Sequence, residues 1–160
     1  MKGLLIALLC AASACAAPIT TERAWIDLVR WEGHRLVPYR DADGWSVGVG
    51  HALTRHGEPV KRVYTRTEVR AMFYHDLAVS LEAARAGVRD FDELPEEVQL
   101  VTLSVIWCVG PAGFDRFKDF RFALSHRTYN AAATSLYLSL WYRQVSPARA
   151  NHAINTLRSQ

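Results

Sequence analysis

The chain has 160 residues, half of them hydrophobic and 22% charged, which is the composition of one globular unit with enough apolar surface for a single core. Its formal net charge of +3 is too small a surplus for a nucleic-acid footprint. No basic run, Walker loop or paired Cys motif gives phosphate-binding or zinc chemistry a foothold.

The first seventeen residues, MKGLLIALLCAASACAA, combine a Lys2 positive end, an apolar run from Gly3 to Ala14 and a small-residue cleavage site before Pro18. They are expected to be a signal peptide, residues 18–160 being the working domain, with export to the periplasm or beyond. The apolar run is shorter than the ~20 residues a comfortable membrane span needs. A retained signal anchor and a lipoprotein box at Cys15 stay open as variants, and the leader is the only expected membrane contact. Without the leader, Cys108 is the only thiol, so no internal disulfide is expected and Cys108 reads as a small buried hydrophobe. A thiol link between Cys108 and the leader cysteines is a further, weaker alternative.

From Thr20 the pattern turns helical. TTERAWIDLVRWEG carries threonine caps, an early Glu22, apolar residues on helical spacing and a stop at Gly33, which sets Glu32 at a helix C-terminus. Residues 36–51 change period: Val37 and Tyr39, the turn DADG, then Trp45, Val47 and Val49 alternating with Ser46, Gly48 and Gly50, as in a small ribbon of two or three strands. TRTE at 65–68 is a capping box opening a long amphipathic helix to about Ala86, with Val69, Met72, Phe73, Leu77 and Leu81 on its inner side. LPEEVQLVTLSVIWCVG puts Pro95 in the first turn of a central buried helix, apolar from Val98 to Val109. Three shorter helices are expected at 114–125, 129–142 and 147–158. The resulting fold is α+β, mainly α: a β-ribbon lobe, a connector helix and a helical lobe, with a cleft between lobes bordered by the acids.

Those acids suggest general acid-base chemistry, which needs one carboxyl that carries a proton and another that stays charged. Glu32, beside Trp31 at the unfavourable end of a helix dipole, suits the first role. Asp41, in a polar turn, suits the second, with Asp43 as a rival. Ser46 on the next strand is placed to hold a water.

The whole segment WEGHRLVPYRDADGWSVGVGH resembles the catalytic segment of the phage-type lysozymes, glycoside hydrolase family 24. The matching residues are Glu32-Gly33, Asp41 nine positions on, Trp45, Ser46 and Gly48-Val49-Gly50-His51. WCVGPAGF is similar to that family's aromatic-x-x-Gly helix end, and LWYRQVSPARANHAINTLRS to its closing segment. The resemblance implies a two-lobed lysozyme-like fold and hydrolysis of the β-1,4 bond between N-acetylmuramic acid and N-acetylglucosamine in peptidoglycan. It implies Glu32 as general acid, Asp41 and Ser46 as the groups that activate and orient water, and Arg149 as the arginine that contacts Glu32. It also implies a structural ion pair between His51 and Asp76, and an aromatic, Trp107, lining the sugar cleft, whereas Trp141 reads as core. No metal or organic cofactor is needed, and a monomer acting on peptidoglycan is expected, whether in phage lysis or in a bacterial or prophage wall-remodelling role.

Three departures from the family pattern stand out. The spacing from Asp41 to the hydroxyl is one residue short, Ser46 stands where Thr is usual, and three sugar-contacting positions carry unusual residues: Ala52, Ser135 and Phe117. A lytic transglycosylase working with Glu32 alone, and a non-catalytic peptidoglycan-binding protein, are the alternatives that these departures keep open.

Overall fold

In a computed structural model, residues 17–41 and 44–160 are described; the leader through Ala16 and the rival carboxylate Asp43 lie outside them. Helix α1, Thr21–Glu32, starts where the Thr20 hydroxyl accepts from the Arg23 amide and stops at Gly33, whose φ of 76° a side-chain-bearing residue adopts only with strain. Three antiparallel strands follow in sheet order β1, β2, β3: β1 Arg35–Asp41, β2 Gly44–Gly48 and β3 His51–Ala52. Pairing of Asp41 with Gly44, Arg40 with Trp45 and Tyr39 with Ser46 fixes the register of the first hairpin. The strict alternation expected of β2 is only partly met, since Ser46, Val47 and Gly48 are all buried. The reason is that α3 covers one side of this strand while Ser46 turns inward on the other.

A short helix α2, Leu53–His56, was not foreseen; it packs Leu53 into a small cluster with Val47, Tyr64 and Val69 beneath the ribbon. Helix α3, Arg66–Gly87, is the connector, and its capping box is complete: Thr65 accepts from the Glu68 amide and Glu68 accepts from the Thr65 amide. With these bonds and the Lys61 ammonium beside it, Glu68 is held at about 2, below the usual carboxylate range, the lysine contributing most.

Helix α4, Glu96–Phe114, runs through the middle of the helical lobe. Pro95 is its N-cap rather than a member of its first turn, and Gly110, at φ 69°, breaks it before Pro111. Residues 98–106 are all buried; from Trp107 to Gly113 the helix emerges, which is why Cys108, expected inside, is exposed. Around it stand α5 Lys118–Ser125, α6 Tyr129–Leu138, α7 Leu140–Gln144 and α8 Pro147–Arg158. The single helix expected over 129–142 is thus two. Ser139 takes an extended conformation, accepts from the Tyr142 amide and restarts the chain in a new direction, which lets Trp141 enter the core at 1% exposure.

Candidate active site

Three helices converge on Glu32. It is the last residue of α1, where the axial dipole disfavours an anion, and the compensating cation comes from α8. Ser146 caps α8 by accepting from the Arg149 amide, Pro147 occupies the first position, and Arg149 therefore leaves the first turn with a fixed direction. Its Nη1 donates to Glu32 Oε1 at 2.6 Å. Two further donors are tied to α4, Nε to Ser104 Oγ at 2.9 Å and Nη2 to the Ser104 carbonyl at 3.1 Å. The pair is shielded, with side-chain exposures of 8% for Arg149 and 24% for Glu32. Removing either partner would leave a poorly solvated charge, so the ribbon-side and C-terminal elements hold one another in place.

The other carboxyl oxygen looks toward the ribbon. A Cβ added to Gly50 would lie 3.9 Å from Glu32 Oε2 and 3.6 Å from Trp107 Nε1, at a φ of 85°. The positive φ is what favours glycine there, since a Cβ would make only ordinary contacts with the acid and the indole. Trp107 Nε1 donates to the Val49 carbonyl at 2.8 Å, docking the ribbon on α4.

Asp41 ends β1, and its Oδ2 accepts from the buried Ser46 hydroxyl at 2.5 Å. The shortened spacing therefore does not separate the two groups, because the Asp41–Gly44 pairing folds the hairpin tightly enough to close the distance. Tyr39 pairs with Ser46 across the hairpin and feels the charge of both acids. Its phenol is pushed above its ordinary value first by burial, then by the negative charge of Glu32 and then by that of Asp41. This tyrosine was missed as a site residue, although alternation along β1 puts it on the face of Asp41, two positions away.

The ion-pair residues also meet. His51, 3% exposed, shares Nδ1 with Asp76 Oδ2 at 2.8 Å and Nε2 with Glu58 Oε1 at 3.2 Å. Burial alone would lower the histidine, but the hydrogen bonds and charges of Asp76 and Glu58 outweigh it and the net shift is upward. Glu58 was not anticipated. Of the positions read as sugar contacts, Ala52 shares a cavity of about 180 Å³ with Gly50 and Trp107. Phe117 and Ser135 line a different groove of about 660 Å³ with Val109 and Trp141, on the helical lobe. Both hollows are lined in part by residues of α4 near its break, Gly110 and Pro111 in the first, Val109 and Gly113 in the second.

The family model for phage lysozymes matches residues 29–154, from the end of α1 to α8. The chain belongs to the phage lysozyme family. It is also 30% identical, over 134 residues and 82% of its length, to peptidoglycan hydrolase gp36 of Pseudomonas phage phiKMV. It spans only 14% of that relative's length. The matched stretch spans the positions of Glu32, Asp41, Ser46 and Arg149.

Proposed function

We propose that this chain is a muramidase that adds water across the β-1,4 bond between N-acetylmuramic acid and N-acetylglucosamine in peptidoglycan. The observation that carries the reading is the unlike setting of two acids: Glu32 clamped through one oxygen by Arg149, and Asp41 bonded to the Ser46 hydroxyl. Membership of the phage lysozyme family and likeness to a phage peptidoglycan hydrolase support the substrate class.

In this mechanism the protonated Glu32 gives its proton to the bridging oxygen as the glycosidic bond breaks. A water oriented by Ser46 attacks the anomeric carbon from the opposite face, and its proton passes to Asp41. Exchange with solvent returns a proton to Glu32 and removes one from Asp41. Such single displacement inverts the anomeric configuration and needs room for the water, with carboxyl groups ~6.5 to 9.5 Å apart. Arg149 keeps the Glu32 carboxyl oriented, and Trp107 with Gly50 forms the wall beside it.

The test is mass spectrometry of fragments released from purified peptidoglycan by the chain and by Glu32→Gln. Reducing muramic ends are expected from the parent, with release lowered about 10² to 10⁴-fold in the variant, the usual contribution of a general acid. Gln keeps an oxygen for Arg149, so the fold should survive. Anhydro ends would move the chain to the lytic transglycosylases, and an intact wall with bound protein would leave a binding role alone.

A further inference from the structure

Five groups able to take a proton or a metal gather where the ribbon lobe meets the connector helix, around the His51 and Asp76 pair. One ligand atom from each of His51, His56 and Asp76 lies within 4.8 Å of the others. The His56 ring stacks on His51 at 4.7 Å with an interplanar angle of 10°, and His75 meets His56 edge-on at 5.9 Å. The residues come from β3, the end of α2 and the middle of α3, at sequence spacings that match no zinc motif, so the cluster exists only in the folded chain.

We propose that His51, His56 and Asp76 form a site for a divalent transition metal of the zinc type. Two imidazoles and a carboxylate are the donor set such ions take in mixed sites, and harder cations prefer oxygen alone. The cation would replace the proton between His51 Nδ1 and Asp76 Oδ2, releasing it to solvent. His51 already has the outer partner that metal-bound histidines use: its Nε2 faces the Glu58 carboxylate at 3.2 Å, which orients the ring and raises its basicity.

Zinc ligands in a tetrahedron stand ~3.3 Å apart, given bonds of ~2.0 to 2.2 Å, so the cluster has to contract slightly. The movement falls on His56, which is exposed and ends a four-residue helix; its ring turns out of the parallel stack to aim a nitrogen at the ion. Asp76 and His56 also line the cavity of about 180 Å³, which has room for a water to complete the coordination. Arg55 lines the same cavity and opposes a cation, but Asp76 and Glu58 together leave the surroundings negative.

A metal there would tie β3 and α2 to the connector helix, and so fix the ribbon that carries Ser46. The experiment is titration of the untagged full chain with Zn²⁺ by calorimetry and with Co²⁺ by visible absorption, beside His56→Ala and the distant His126→Ala. One Zn²⁺ per chain, Co²⁺ bands of four-coordinate intensity and a melting temperature that rises with Zn²⁺ are expected. His56→Ala should weaken binding about tenfold or more and remove the Co²⁺ bands, while His126→Ala changes neither. Circular dichroism checks that each variant is folded. Absence of saturable binding, binding untouched by His56→Ala, or a preference for Mg²⁺ or Ca²⁺ would overturn the site.

Discussion

Among the described residues, the buried apolar cluster beneath the ribbon contains Val47, Leu53, Tyr64 and Val69, whereas the main cluster in and around the helical lobe holds 27 residues from Ile19 to Leu157. The ribbon makes up the difference with directional contacts: Trp107 to the Val49 carbonyl, Thr54 Oγ1 accepting from the Trp45 amide, Ser46 to Asp41, and His51 between Asp76 and Glu58. Apolar burial is tolerant of small displacements and scales with area, while hydrogen bonds fail within an ångström. The helical lobe is therefore a foundation, and the ribbon is a part set in position on it. That division suits a site in which one acid is anchored among helices and the other stands on the ribbon.

The comparison is broken most severely from the helical side. Phe120 is fully buried, and Phe120→Ala should cost about 3 to 5 kcal/mol of global stability, read from urea unfolding, by lost transfer energy and the cavity left behind. Below its lowered melting temperature the variant should still cleave peptidoglycan, since Phe120 supplies no contact to Glu32 or Asp41. If activity fell in step with stability at low temperature, the lobes would not be separable in this way.

Asp76→Asn tests the ribbon. It leaves His51 with Glu58 as its one remaining carboxylate partner, and a loss of about 2 to 3 kcal/mol is expected, below the range for a fully buried pair because Asp76 retains 21% side-chain exposure and Glu58 stays in place. Its effect should be local. Hydrogen exchange ought to quicken in residues 44–56 while the α4 amides change little, and hydrolysis should fall more than stability explains. Uniform acceleration across both lobes would mean that the ribbon is no separate unit.

How much of this was legible in the sequence follows the same division. Caps at Thr20 and Thr65 are local chemistry, written in four residues each, and they placed two helix starts. The apolar run of α4 announced the core. The split at Ser139 was hidden because a serine within an amphipathic run does not declare whether it caps or merely faces solvent. The Glu32, Asp41 and Ser46 constellation stood out because it sits within fifteen residues. Ser104 did not: it lies inside an apolar helix 45 residues before the arginine it steadies. Glu58 and His56 were equally silent, since their meaning depends on a chain fold that brings α3 back beneath the ribbon.

The smallest expected effect concerns a charge that the helical lobe tolerates rather than uses. Asp27, on α1 and 7% exposed, has its carboxyl raised above the ordinary range chiefly by burial; His152 and Arg23 pull it down, less strongly, and Glu97 adds to the rise. A carboxyl raised in the folded state favours its neutral form there, so its contribution to stability is full below the ordinary carboxylate range and is lost as pH climbs through the folded value. At neutral pH the ionised Asp27 is thus a cost. Asp27→Asn should raise stability at pH 7 by about 1 kcal/mol, or roughly 2 to 4 °C in melting temperature for a domain of this size. The advantage should shrink as pH falls toward 4 and the native aspartate takes up its proton. Melting curves of parent and variant at both values decide the point. If Asn destabilised the chain at pH 7, the attraction of Arg23 and His152 would outweigh burial, and the foundation lobe would rest on charge pairing as the ribbon does.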